Sequence, residues 1–292
     1  MIVLQICIGF PVNVFLLLFY GWVASTRHKL SSSELIHTNL ASANIMIFLI
    51  MSVWEWRNFL NAVGCKVLMY FYRVARGLSV CTTCLLSILQ AVTISPSTSR
   101  WAGVKAKLPK CIGPFCILSW VLNLLINAGI PLYMSDSQNT SIQITYDLKY
   151  CSVTTLSVKT ILINTVVYSV WDLLFVGLMG ASSCYMVLVL YRHHRRVQHL
   201  HGPGCYPRAM PEVRAAKCVI SLVTLYILLY GRQTIMVNVL INMKGNAPQL
   251  MASHLVWSFT FSVFSPFLII HSDRRMRKFW KRESPVRNMD PS

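Results

Sequence analysis

The chain has 292 residues, 55% of them apolar and 12% charged, with a formal charge of +18 and a mean hydropathy of +0.54. Soluble domains carry about 25% charged residues, so this chain is too apolar to cover its own surface in water, and much of that surface must face lipid. The basic residues sit between long apolar runs rather than along one stripe of a soluble fold, which argues against a nucleic-acid-binding module and for a single membrane domain.

A bilayer crossing takes about 20 mostly apolar residues. In chain order the candidate spans cover residues 2–24, 35–53, 66–94, 111–133, 161–190, 213–240 and 250–271, and a basic tail follows at 272–292. Backbone groups find no water in lipid, so spans of this length are helices. The period-two alternation of a membrane barrel and the internal repeat of an inverted-repeat transporter are absent. The expected fold is an all-α seven-helix membrane bundle.

The first span starts at Met1. It lacks the positive n-region of a signal peptide, and its apolar run is longer than a signal h-region of ~7–15 residues, so it reads as a true helix. An upstream start codon is compatible with this reading. The second span opens on Ser31-Ser32-Ser33-Glu34, where Ser31 and Glu34 have capping-box spacing. The third is long enough to cross at a tilt. It ends at Ser95-Pro96, because the residue before a proline avoids the helical region. The sixth begins at Pro211-Glu212, a proline and an acid that both suit a first turn. Pro266 should kink the seventh, with Ser265 placed to bond a freed carbonyl.

Lysine and arginine set the orientation. With the N-terminus outside, the inner segments hold 19 of the 27 basic residues: Arg27 and Lys29; Arg100, Lys105, Lys107 and Lys110; Arg192, Arg195, Arg196, Arg208, Arg214 and Lys217; and seven in the tail. The outer segments hold Arg57, Lys66, Lys149, Lys159 and Lys244. This asymmetry predicts N-out, C-in. Two outer features agree with it: Asn139-Thr140-Ser141 is a glycosylation sequon in the second outer loop. Cys65 and Cys151 are the cysteines best placed for a disulfide in an oxidising compartment.

Other residue clusters read as structural. Cys81-x-x-Cys84 has redox spacing but lies on a membrane helix, and the cluster His193, His194, His199 and His201 reads as a solvated basic loop, so no metal site is expected. The seventh span has no lysine for a retinal Schiff base. Only His37, His254 and Asp172 lie in or near the spans as metal-ligand candidates, at no recognisable ligand spacing. Neither H-E-x-x-H nor G-x-S-x-G is present. A light-driven protein, another transporter and a membrane enzyme therefore give way to a ligand-activated receptor, with no cofactor expected.

Four segments carry a family resemblance. "HTNLASANIMIF" (His37 to Phe48), "LLSILQAVTISPSTSRWAGVKAK" (residues 85–107), "PEVRAAK" (Pro211 to Lys217) and "FSPFLII" (Phe264 to Ile270) resemble the vomeronasal type 1 pheromone receptors, in particular their fish relatives. The resemblance covers essentially the whole chain, and the second segment is the most specific. Several marks of rhodopsin-like receptors are missing. "LQAVTIS" replaces the Asp/Glu-Arg-Tyr triplet, Asn44 stands where many carry an aspartate, and helix 6 lacks its aromatic-x-Pro. Helix 7 has Ser265-Pro266 in place of Asn-Pro. These losses also fit bitter taste receptors, the alternative reading. The resemblance implies a G protein-coupled chemosensory receptor of the Gi/Go-coupled type in the plasma membrane of chemosensory neurons. Arg100, Lys105, Lys107, Arg192, Arg195 and Arg196 would face the G protein or, on a plainer view, anionic membrane lipid.

Within the spans lie four ionisable residues: Arg73, Arg76, Asp172 and Arg232. Counted at ~1.5 Å per residue, each lies in the outer half of the bundle. A charge facing lipid there is costly, so all four are expected to face inward. Asp172 is expected to pair with an arginine, Arg232 first. Three arginines against one aspartate leave excess positive charge, which predicts a pocket for small anionic ligands lined also by Tyr72, Tyr168, Gln233 and Trp257.

Overall fold

The structure, a computed structural model, describes residues 2–27, 30–55, 62–96, 102–129, 158–201, 211–242, 248–273 and 276. Among them are seven helices and no strand: α1 (Ile2–Arg27), α2 (Ser32–Glu55), α3 (Ala62–Ile94), α4 (Ala102–Asn127), α5 (Val158–His201), α6 (Pro211–Asn242) and α7 (Pro248–Ser272). The first six are long and apolar enough to cross a membrane, and α7 contributes the shorter apolar stretch Val256–Ser272.

Local signals fix several ends. At the start of α2, the Ser31 N–H donates to Glu34 Oε2 (2.7 Å) and the Glu34 N–H donates to Ser31 Oγ (3.4 Å), the reciprocal capping box its spacing predicts. Helix α3 stops at Ile94, before Ser95-Pro96. Its end is closed by Ser95 Oγ, which donates to the Ala91 carbonyl (2.8 Å), and by Lys105 Nζ, which donates to the Ser95 carbonyl (3.4 Å). Helix α6 begins at Pro211.

Two helices exceed their apolar runs. Helix α5 extends to His201, so Arg192, Arg195 and Arg196 lie on a helix rather than in the loop expected from hydropathy. Its 44 residues reach about 66 Å at 1.5 Å each, twice the hydrocarbon thickness. Helix-compatible polar residues continue the turn until Gly202-Pro203-Gly204. Helix α4 likewise begins at Ala102, which puts Lys105 and Lys107 in its first turns.

Interhelical pairs give the directions. Tyr20 meets His37 and Asn13 meets Asn44, so α1 and α2 are antiparallel. Gln5 meets Val256 and Tyr20 meets Asp273, so α1 and α7 run the same way. Arg76 meets Asp172 and Ser95 meets Tyr185, so α3 and α5 do too. The basic residues Lys105, Lys107, Arg192 and Arg195 therefore share the end of the bundle at which α1, α3 and α7 finish. Helix α3 is the hub, packed on α2, α4, α5 and α6. Of its apolar window 67% is buried, against 11% for that of α5. The uncovered faces carry Leu18, Ile117, Leu125, Val170, Leu188 and Leu228, an apolar coat that only lipid can match.

Two glycines permit close approach. A Cβ at Gly9 would come within 2.3 Å of Phe48 Cζ, and one at Gly77 within 1.9 Å of Asn123 Oδ1.

Candidate ligand pocket and its polar floor

Between α2, α3, α6 and α7 lies a cavity of about 40 Å³. Ile47, Arg76 and Ser79 form one wall, Tyr226, Leu229 and Tyr230 a second, and Trp257, Ser258, Phe261 and Ser262 the third. The volume holds only about two or three waters, far below the 300–1,000 Å³ of an occupied small-molecule site. A ligand with any body must therefore part the helices. Aromatic rings frame the space: Tyr226 stacks on Tyr230 with centroids 6.2 Å apart and meets Phe261 edge-on at 5.3 Å.

The charged residues are arranged differently from the sequence expectation. Asp172 approaches Arg76 (3.8 Å), not Arg232. Arg232 instead lies over the Trp257 ring, 4.3 Å from its centroid, a cation–π contact. Although α5 and α6 are in contact, rotation about each helix axis decides which side chains meet, and Asp172 on α5 turns toward α3. Arg73 is exposed rather than inward-facing. Trp257 lines the cavity while 45% exposed. Tyr72 is not among the lining residues; it is half-buried against Phe259 (6.0 Å). The side chains of Tyr168 and Gln233 lie outside the described residues, as do Asn139, Cys151, Arg100, and the side chains of Cys65 and Arg196. The backbone of Cys65 is in the first turn of α3. Lys107, Arg192 and Arg195 are exposed at the basic end, and Lys105 is half-buried on Ser95.

Sequence reasoning missed Ser79, Tyr226, Tyr230 and Phe261. Ser79 Oγ and Tyr226 OH are buried and, among the described residues, without a hydrogen-bond partner. Unused buried hydroxyls are costly to leave so, and both border the cavity beside Arg76.

One turn below the cavity lies a second polar layer. Ile47 and Ser262 line the cavity; Asn44 and Ser265 follow three residues further toward the basic end. Asn44 Nδ2 donates to Asn13 Oδ1 and to Ser265 Oγ, each at 3.0 Å. Pro266 leaves the carbonyl of Ser262, four residues earlier, without its helical donor. Asn13 Nδ2 supplies that donor from α1 at 3.1 Å. Ser265, expected to serve a freed carbonyl, instead accepts from Asn44.

The comparisons with known proteins agree with this architecture. The family model described as "Vomeronasal organ pheromone receptor family" matches residues 1–282. The chain belongs to the vomeronasal type 1 receptor family. It is 34% identical to human "Vomeronasal type-1 receptor 4" over 292 residues, covering 97% of each chain. It is 33% identical to the zebrafish (Danio rerio) "Olfactory receptor class A-like protein 1" over 282 residues, 94% of this chain and 88% of that one. Against human "Vomeronasal type-1 receptor 3" the identity is 37% over 228 residues, 75% of this chain and 73% of that one. As a vomeronasal-type receptor, the chain is a multi-pass membrane protein of the G protein-coupled class, and not an enzyme.

Proposed function

We propose that this vomeronasal-type receptor is a chemosensory receptor that takes a small, anionic molecule into the cavity around Arg76 and activates a Gi/Go-type G protein at its basic end. The N-terminus is outside and the C-terminus inside, so the cavity lies on the outer side of the Asn13–Asn44–Ser265 layer, and residues 272–292 form the cytoplasmic tail. The setting is the plasma membrane of chemosensory neurons. The carrying observation is Arg76, a half-buried guanidinium in an aromatic cavity whose carboxylate neighbour stands at 3.8 Å, beyond the ~2.7–2.9 Å of a tight charge-assisted bond. A ligand that binds the parted arrangement better than the closed one shifts the population toward it. Lys107, Arg192 and Arg195 then offer the G protein a positive surface.

The test is an agonist screen, with water-borne conspecific extracts and a promiscuous G protein, in cells expressing the chain. Once an agonist is found, Arg76→Gln and Arg232→Gln are expected to weaken the response at least tenfold at equal surface expression, and pertussis toxin to abolish it with the native G protein. Unchanged dose–response curves in both variants would remove the pocket, and toxin resistance would remove the Gi/Go assignment.

A further inference from the structure

The geometry points to an oxyanion seat built from Arg76, Ser79 and Tyr226, which Asp172 guards as an internal anion that the ligand's head group must displace; this rests on the ligand-site reading above and names the chemical class bound.

Three observations converge. Arg76 carries a planar fork of donors shaped for a two-oxygen anion. Among the described residues its carboxylate contact is Asp172, whose nearer oxygen is 3.8 Å away, so the fork is attracted to that carboxylate but not engaged with it in short hydrogen bonds. Ser79 and Tyr226, 4% and 7% exposed, border the same cavity, and both hydroxyl oxygens lack a partner. Ser79 follows Arg76 by three residues, close to one turn of α3, and Tyr226 faces them from α6. A carboxylate, sulfate or phosphate monoester placed there accepts from the guanidinium and both hydroxyls together, satisfying donors that the closed state leaves idle. A neutral ligand or an amine does not.

Asp172 fits the role of competitor. It is only 24% exposed, and it comes from α5, a helix outside the three walls of the cavity. It therefore ties α5 to α3 as long as the seat is empty. An incoming oxyanion takes Arg76 and releases that tie, so binding and loosening of α5 are one exchange of anions. The cavity of about 40 Å³ admits a bare oxyanion without parting the helices, which makes formate a suitable probe.

The experiment measures thermal unfolding of the purified full-length receptor against sodium formate, with sodium chloride at matched ionic strength. In Asp172→Asn the seat has lost its internal anion. Half-saturating formate is expected to fall at least tenfold below that of the wild-type chain, to rise at least tenfold again when Tyr226→Phe is added, and to vanish in Arg76→Gln. Formate acting no better than chloride on Asp172→Asn overturns the proposal, as does a formate response indifferent to Tyr226→Phe. If Asp172→Asn does not accumulate, wild type against Tyr226→Phe decides, since the seat predicts a weak formate response in the first that is lost in the second. A neutral agonist whose action still needs Arg76 sinks the oxyanion seat and leaves the ligand site standing. Agonist action indifferent to Arg76 sinks the site itself.

Discussion

Gly77 sits one residue past Arg76, where α3 packs against Asn123 of α4. Replacing it by alanine puts a Cβ 1.9 Å from Asn123 Oδ1 and 2.9 Å from Asn123 Cγ. Ordinary contact begins near 3.4 Å, so one group must retreat by about 1.5 Å, the difference of those distances. Asn123 is buried, and its Nδ2 donates to the Ser119 carbonyl at 2.8 Å and to Cys81 Sγ at 3.5 Å. Rotating the amide away forfeits the bond to Ser119, about 0.5–1.5 kcal/mol; leaving it in place forces α3 off α4, an overpacking cost of about 1–3 kcal/mol. Alanine returns about 1 kcal/mol of helix propensity. If the helices are forced apart the net loss is up to about 2 kcal/mol, which at about 2–4 °C per kcal/mol for a chain of this size is a drop of a few degrees; if the amide rotates, the loss and the gain nearly cancel. Thiol-reactive dye unfolding suits the measurement, because Cys81 and Cys84 are buried beside the contact. Asn123→Ala removes the obstacle, so the double variant is expected to lose less than the sum of the singles. A strictly additive double variant refutes the contact.

At the basic end, Tyr20 OH lies 3.0 Å from His37 Nδ1 and donates to Asp273 Oδ2 at 3.2 Å, joining α1, α2 and the residue after α7. Tyr20→Phe keeps the ring and is expected to cost about 1.5–3 kcal/mol for the bond to a charged acceptor, read as a lower melting temperature; an unchanged one ends the claim. Cys65→Ala or Cys151→Ala is expected to reduce surface delivery, each single as damaging as the double, since a lost bridge costs about 2–5 kcal/mol; normal delivery of both singles would exclude the bridge. Asn139→Gln is expected to shift the gel mobility of the receptor as glycosidase treatment does, and an unshifted band would count against an outer position for that loop.

What could be read from the sequence was what is local or one-dimensional. Apolar run length placed the seven helices, and Ser31 with Glu34, Ser95-Pro96 and Pro211 marked ends that neighbouring residues determine. The far end of α5 and the start of α4 escaped, because hydropathy reports where lipid begins and not where helical hydrogen bonding stops. Which charges meet depends on rotation about each helix axis, so Asp172 met Arg76, and Arg232 found an aromatic face. A signal for the second wall was present. Tyr226 and Tyr230 are hydroxyl-bearing residues four apart in an apolar run, hence on one face of α6. That pattern selects an inward face as surely as a charge does.

The cavity and the polar layer beneath it share a residue. Ser262 lines the cavity, and its carbonyl, left without a helical donor by Pro266, is held by Asn13 from α1. Asn13 in turn accepts from Asn44 on α2, whose other amide hydrogen returns to Ser265 on α7. A ligand that parts α7 from α3 must move Ser262, and moving Ser262 strains a carbonyl that has no helical donor to fall back on. The donor comes from a different helix, so the strain passes to α1 and α2 rather than dissipating along α7. Proline in α7 thus does more than remove one bond of the helix's own ladder. It places a carbonyl between the two layers under the control of a side chain on another helix. Were the Asn13–Ser262 bond to have two discrete arrangements, made and broken, it would be the kind of packed, bistable element through which a small displacement reaches the far end of a bundle.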